Sequence, residues 1–148
     1  MGRAARLFIF VIVGVLSFLA YFISWAHCEN AEKYVQQGIT FYKKGDNDRA
    51  ISNYTKAIEL NPGQAEIYLN RGLAYAVKNN YDMAISDFSQ SIKINPKLGQ
   101  AYNNRAIVYF YKGEYDKAWK DVHKAEALGY KPKPKFIEQL KAESGRKK

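Results

Sequence analysis

The sequence predicts an all-α solenoid with three helix hairpins, a short C-terminal capping helix, and one hydrophobic helix ahead of the hairpins. Two observations carry this prediction. Residues of the same type return every 34 positions between residues 31 and 132, and an uncharged apolar run covers Leu7–Ala26. A period of this length is typical of stacked hairpins, because each hairpin buries its apolar face against the next one.

The apolar run Leu7–Ala26 is long enough to cross a membrane. Twenty residues of helix rise about 30 Å, which is the thickness of the hydrocarbon core. Arg3 and Arg6 come before the run, and positive charge is kept on the cytoplasmic side. We therefore expect the hairpins to lie on the other side of the membrane, in a periplasmic, luminal or extracellular space.

Two alternatives stay open for residues 1–30. The length of the run, with Tyr21 and Trp25 near its end, favours an uncleaved anchor, because such rings collect at membrane interfaces. The tripeptide Ser24-Trp25-Ala26 instead has the small-x-small pattern of a signal peptidase site, and cleavage after Ala26 would release a secreted chain.

Three repeats cover residues 31–64, 65–98 and 99–132, and they align on Asn61-Pro62 and Asn95-Pro96. Aromatic and small residues then share columns, which are Tyr34/Tyr68/Tyr102, Phe41/Tyr75/Tyr109, Ala50/Ala84/Ala118 and Tyr54/Phe88/Val122. Within a period, neighbouring columns are often three or four residues apart, which places them on one face of a helix.

Turn residues divide each period into two helices. Gly45, Asn79 and Gly113 tolerate the left-handed backbone that ends a helix, and Pro62 and Pro96 disfavour helix in the residue before them. Small residues recur at one place in each first helix, namely Gly38, Gly72 and Ala106. We expect the two helices of each hairpin to approach closely there.

On these columns the sequence resembles the tetratricopeptide repeat family, over residues 31–132. The third repeat departs from the family pattern at Ala106, Val122 and Gly129-Tyr130, and the second carries Ser91 where a small alanine is usual. Terminal repeats are often irregular. The resemblance implies a right-handed superhelix whose first helices line a concave groove, and in this family the groove typically holds an extended peptide or a partner's helix.

Residues 133–148 follow the third repeat as a capping helix and a basic tail. In Lys135–Lys141, the side chains of Phe136, Ile137 and Leu140 would cover the open flank of the last hairpin, as a solenoid needs for solubility. We expect residues 143–148 to be frayed.

The resemblance places a candidate peptide groove on the three first helices. Its residues are Gln36, Ile39, Tyr42, Leu69, Asn70, Leu73, Asn103, Asn104, Ile107 and Tyr111, with Lys43, Val77 and Phe110 beside them. Asn70 and Asn104 share a column, and an amide both donates and accepts hydrogen bonds. Such amides suit an extended backbone, although they could instead cap local backbone or pack against the next repeat.

One subclass of the family grips a C-terminal carboxylate with Lys, Asn and Arg side chains. In this sequence Val35 and Ile39 stand where that clamp has Lys and Asn, and Gln100 replaces another basic residue. The sequence therefore disfavours binding of chaperone tails.

The net charge of +9 is concentrated at the chain ends. Basic residues from Lys131 onward are Lys131, Lys133, Lys135, Lys141, Arg146, Lys147 and Lys148. Nucleic-acid binding needs a basic stripe on the fold itself, so we expect no nucleic-acid partner. The main hypothesis is a scaffold that binds a protein or peptide. Alternatives are a self-associating assembly component, as a homo-oligomer, or association of the tail with anionic membranes or nucleic acid.

Catalysis finds no support in the sequence. His27-Cys28 is a dipeptide, whereas a metal site needs three or four ligands, and no Gly-rich phosphate loop is present. We expect no enzyme activity, no cofactor and no metal. Arg71 and Arg105 should pair with acids between helices. The aspartates, which are Asp46, Asp48, Asp82, Asp87, Asp116 and Asp121, are expected to be solvated.

Overall fold

The computed structural model describes residues 30–145. Its helices are α1 (residues 30–43), α2 (Asn47–Leu60), α3 (Ala65–Val77), α4 (Tyr81–Ile94), α5 (Gly99–Tyr111), α6 (Tyr115–Ala127) and α7 (Pro134–Ser144). The three hairpins and the capping helix are thus present, and no strand occurs within the described residues.

The predicted N-terminal segment Leu7–Ala26, with its cleavage site, lies outside the described residues. Between residues 30 and 145, no helix has the length and apolarity that a bilayer crossing requires.

The turn inside each hairpin forms as its residues predict. Gly45, Asn79 and Gly113 all have positive φ, at 79°, 61° and 75°. After each of them the chain folds back, and the next backbone N–H donates to a carbonyl near the end of the first helix, as Asp46 does to Phe41 over 2.9 Å. The left-handed residue therefore ends one helix and starts the return of the chain.

The helices form two layers. The helix α3 contacts α2, α4 and α5, and α5 in turn contacts α4 and α6. The first helices α3 and α5 therefore lie side by side, and α1 joins them, since Val35 shares a core cluster with Tyr54 and Ile67. The second helices α2, α4 and α6 lie behind the first helices. The core between the layers is filled by Tyr54, Phe88 and Val122, which are at most 1% exposed.

Close approach at the small column is confirmed. A Cβ added to Gly38 would lie 2.6 Å from Tyr54, and one added to Gly72 would lie 2.7 Å from Phe88. The third repeat has Ala106 in this column, fully buried, and the smaller Val122 where the others have an aromatic ring. Since the two changes occur together, the smaller partner leaves room for the extra methyl group.

A buried ion pair ties the two layers together in the second and third repeats. Arg71 donates to both carboxylate oxygens of Asp87 over 2.8 Å, and Arg105 donates to those of Asp121 over 2.7 and 2.9 Å. The expected pairing of both arginines is confirmed. The expectation that Asp87 and Asp121 are solvated is wrong, because each is 4% exposed and faces its arginine inside the hairpin.

Each arginine also reaches the preceding repeat. Arg71 donates to Thr55 Oγ1 over 3.0 Å, and Arg105 donates to Ser89 Oγ over 2.8 Å. Hydrogen bonding to Asp87 raises the pKa of Arg71. Burial opposes the charge of Arg105, but the hydrogen bond and charge of Asp121 outweigh it, so the pKa of Arg105 is also raised. Each of these networks therefore connects a hairpin to the repeat before it.

The capping helix α7 covers α6. Leu140 is fully buried and Phe136 is 9% exposed, in one cluster with Trp119 and Val122. The helix extends further than expected, since residue 143 and Ser144 are helical. The indole of Trp119 donates to Ser144 Oγ over 3.0 Å, which holds this end in place, and Gly145 then ends the helix with φ 67°.

Candidate peptide-binding face

Two strips of side chains run across the first helices. The aliphatic strip consists of Ile39, Leu73 and Ile107, all partly exposed, and the amide strip consists of Gln36, Asn70 and Asn104. Each amide residue comes two positions before a residue of the small column (Gly38, Gly72 and Ala106). Two positions correspond to a rotation of about 200° around a helix. Because the small column faces the second helices, the amide strip faces away from them. We call the surface that carries both strips the binding face.

The structure brings most of the predicted groove residues to this face. Gln36 is exposed, and Tyr111 is 64% exposed. Partly buried members are Ile39, Tyr42, Asn70, Leu73, Asn104 and Ile107. Leu69 and Asn103 are only 5% exposed. Leu69 packs in a core cluster with Ala84 and Phe88, so it offers little surface to a ligand.

The amide groups of Asn103 and Asn104 are incompletely paired. Asn103 Nδ2 donates to Asn104 Oδ1 over 3.4 Å, which is a long hydrogen bond. Asn103 Oδ1 and Asn104 Nδ2 are both buried without a partner. Nothing in the residue columns signalled this, because the column of Asn103 otherwise holds Val35 and Leu69.

An aromatic cluster stands at the C-terminal end of α5. The ring of Tyr111 stacks on that of Tyr81 at 6.0 Å and meets that of Phe110 edge-on at 5.5 Å. Phe110 also contacts Phe136 of the capping helix at 5.9 Å. Val77, at the same phase as Tyr111, is 56% exposed. Sequence reasoning missed Tyr81, which the helix turn brings beside the next repeat.

The lysines that directly follow α3 and α5 form ion pairs with acids of the preceding repeat. Lys78 pairs with Asp48, and Lys112 pairs with Asp82 over 2.5 Å. Hydrogen bonds to Asp82 and Glu114 raise the pKa of Lys112. The binding face therefore presents mainly apolar and amide groups here.

None of the three positions that differ from the carboxylate clamp carries a charged side chain. Val35 is buried at 8% exposure and packs in a core cluster that Ile39 also contacts, whereas Gln100 is exposed. Within residues 30–145, no group of three or more His, Cys, Asp or Glu is placed to hold a metal ion.

Stacked hairpins with this period define a class of helical repeat protein. Comparison with family models agrees, since a TPR repeat model matches residues 38–77 and tetratricopeptide repeat models match residues 65–98 and 88–120. Together the matches cover residues 38–120. The chain belongs to the tetratricopeptide repeat family.

Solved structures show the same fold. The TPR2B domain of yeast Sti1, in a pHsp70 complex, has a TM-score of 0.72 at 26% identity, covering 79% of this chain and 97% of that chain. The Arabidopsis OM64 TPR domain has a TM-score of 0.69 at 26% identity, covering 81% and 95%. MamA has a TM-score of 0.69 at 27% identity, covering 78% of this chain and 69% of that chain. No curated protein matches the sequence significantly.

Proposed function

We propose that this chain is a non-catalytic scaffold that binds a peptide or a segment of a partner protein along the binding face. The observation that carries the proposal is the pairing of the aliphatic strip with the amide strip across all three first helices. Partly exposed aliphatic side chains gain free energy when a ligand covers them. Amides beside them can satisfy the polar groups that the ligand's backbone loses to water.

A structural relative supports binding on this fold, because the yeast Sti1 domain is in complex with pHsp70. The residues of this chain favour a different ligand. With Val35, Ile39 and Gln100 in place of clamp residues, an acidic chain terminus would meet apolar and neutral groups, and desolvating its charge there would be costly. We therefore propose a ligand with apolar side chains and few charges along the bound segment.

Site-specific photo-cross-linking on native membranes tests this proposal. A photoreactive residue at Gln36 or Asn70 should cross-link one partner segment, which peptide mapping of the adduct identifies. Matched controls carry the same residue at Ser52 and Ser86, which share a phase and are exposed on the second helices. Equal cross-linking from Ser52 and Ser86 would contradict binding on the first helices, as would no adduct from Gln36 or Asn70.

We also propose that Leu7–Ala26 directs the repeats to the non-cytoplasmic side of a membrane, either as an anchor that holds them there or as a signal that is cleaved. The support is its length without charge and the two arginines before it. A reporter that is active only outside the cytoplasm, fused after Lys148, should be active. Activity of a cytoplasm-dependent reporter at the same point would refute the orientation, and the mass of the mature chain separates anchor from signal.

A further inference from the structure

Successive helices run in opposite directions, so the loops gather at two opposite edges of the fold. The turn edge consists of residues 44–46, 78–80 and 112–114, and the junction edge consists of residues 61–64, 95–98 and 128–133. Lys78 and Lys112 at the turn edge pair with acids of the preceding repeat. At the junction edge, a Cβ added to Gly99 would lie 2.8 Å from Cβ of Tyr130. The start of α5 therefore lies directly beside the junction that follows α6.

Exposed lysines are concentrated at the junction edge near the third repeat. They are Lys93, Lys97, Lys124, Lys131, Lys133 and Lys135. None of the six forms an ion pair with another described residue. Two exposed acids, Glu126 and Glu138, lie near them, so positive charge predominates at this edge.

The cap helix gains nothing from the lysines at its start. Lys133 directly precedes α7 and Lys135 lies in its first turn, where the positive end of the helix dipole disfavours a cation. The side chain of Lys133 makes no capping hydrogen bond, and the first turn of α7 holds no acid. Lys93 and Lys124 differ, because they lie in last turns, where the dipole favours a cation. Helix formation therefore does not account for the positive charge at the start of α7.

The junction edge is also the edge at which α1 begins, after the apolar run. Residues 27–29 separate Ala26 from α1, and a fully extended chain of this length spans about 14 Å at most. With Leu7–Ala26 inserted as proposed, the start of α1 stays within that distance of the bilayer. Lysines beside a membrane-inserted helix are attracted to anionic headgroups, and the attraction falls off within a Debye length, about 8 Å at physiological salt.

We propose that the junction edge docks on anionic lipid headgroups, with Lys131, Lys133 and Lys135 as its main contacts. This inference rests on the proposed insertion of Leu7–Ala26 and goes beyond the scaffold function. Docking stands the first helices on the bilayer and points the turn edge away from it. A partner segment that crosses all three first helices on the binding face then runs parallel to the membrane surface.

The test compares how close each edge lies to the lipid, using the full chain in nanodiscs. A fluorophore is attached at Gln100→Cys, beside the junction edge, or at Asn80→Cys, at the turn edge, in a Cys28→Ser background; both sites are exposed. Headgroup nitroxides quench nearby fluorophores. Quenching at Gln100 should be about twofold stronger with about 30% phosphatidylglycerol than with phosphatidylcholine alone. Salt at about 1 M, where the Debye length is about 3 Å, should remove this difference. Quenching at Asn80 should not depend on lipid charge.

Two triple variants with the same change in net charge separate a local site from a general effect. Lys131→Gln/Lys133→Gln/Lys135→Gln should abolish the dependence of quenching on phosphatidylglycerol. It should also raise the melting temperature slightly, because it removes cations from the start of α7. The matched control is Lys43→Gln/Lys44→Gln/Lys120→Gln, which changes three exposed lysines away from the junction edge. It should keep the quenching of the wild type.

Failure of the inference and failure of the proposed function give different results. Equal quenching at Gln100 in both lipids would overturn docking, while cross-linking from Gln36 would still support the scaffold. A chain that does not insert into nanodiscs would refute the membrane role of Leu7–Ala26 and docking with it.

Three further results would overturn the inference alone. Equal loss of quenching in both triple variants would show a general effect of charge. A lower melting temperature of the junction-edge variant would show that the cap requires its lysines. Lysine-dependent binding of duplex DNA, with no effect of lipid charge on quenching, would assign the junction edge to nucleic acid.

Discussion

At the scale of single residues, the first two hairpins depend on glycine beside an aromatic ring. Gly72 has no Cβ, and a Cβ there would lie 2.7 Å from Cε1 of Phe88, closer than atoms can pack. The third repeat accommodates Ala106 opposite Val122 instead. A larger residue in the column of Gly72 is thus matched by a smaller one in the column of Phe88, and this match can be tested quantitatively.

Gly72→Ala should destabilise the protein by about 1–3 kcal/mol, because Phe88 must leave its position to make room. In a Phe88→Val background the same change should cost less, since the pair then resembles Ala106 and Val122. Chemical denaturation of the four proteins of this cycle measures the coupling. Additive effects would mean that the two columns do not constrain each other.

Tyr54 predicts how stability depends on alkaline pH. Burial raises the pKa of Tyr54 from 10.0 to about 12. Since the folded state holds this proton more tightly, its stabilising effect is complete below pH 10 and is lost as pH rises toward 12. Tyr54→Phe has a precedent in Phe88, so it should be nearly neutral at pH 7 and should reduce the loss of stability between pH 10 and 12. An unchanged alkaline profile in this variant would refute the assignment.

At the scale of helices, the buried arginine networks connect neighbouring helices through hydrogen bonds. Arg105 connects α5 to α6 through Asp121 and to α4 through Ser89. The side chains of Arg105 and Asp121 are 18% and 6% exposed. In the first repeat the same columns hold the neutral residues Gln37, which is exposed, and Asn53, which donates to the carbonyl of Arg49, so a hairpin of this fold does not require charge at these columns.

Arg105→Gln should destabilise the protein by roughly 3–5 kcal/mol, because it leaves the carboxylate of Asp121 buried without its partner charge. Adding Asp121→Asn should restore a large part of that loss, because no unpaired charge then stays buried. Thermal and denaturant unfolding at pH 7 would measure both changes. A double variant that is no more stable than Arg105→Gln would show that the geometry, not the unpaired charge, is responsible.

At the scale of the whole molecule, the repeat period predicted the three hairpins, and the apolar side chains of Lys135–Lys141 predicted the cap. Each column shows what its residues pack against, so Gly72 and Phe88 were correctly expected at a close approach between helices, and Leu140 was correctly expected to cover the last hairpin. Asp87 was misjudged because a charge was assumed to be solvated, although Arg71 and Asp87 recur with the same period as Arg105 and Asp121. The unpaired amides of Asn103 and Asn104 break the period, and only atomic positions could reveal them.

The two ends of the repeat array bear on whether copies of the chain stack on each other. In α3 and α5 the columns that face the preceding repeat are buried and apolar, with Ile67 at 1% and Val108 at 2% exposure. In α1 the same columns hold Lys33 and Thr40, both exposed. A second copy packing there would have to bury an unpaired lysine, which is costly. At the other end, α7 already covers Val122.

We therefore expect the wild-type repeats not to associate end to end, and we expect Lys33→Ile/Thr40→Ala to do so, because it recreates the column of Ile67 and Ala74. Sedimentation of the full chain in detergent, over a range of protein concentrations, should show concentration-dependent mass for that variant alone. Ser52→Ile/Ser86→Ala adds similar apolar area on the second helices and serves as the control. If the wild type associates as strongly as Lys33→Ile/Thr40→Ala, the polar face of α1 does not prevent stacking, and a self-assembling role regains support.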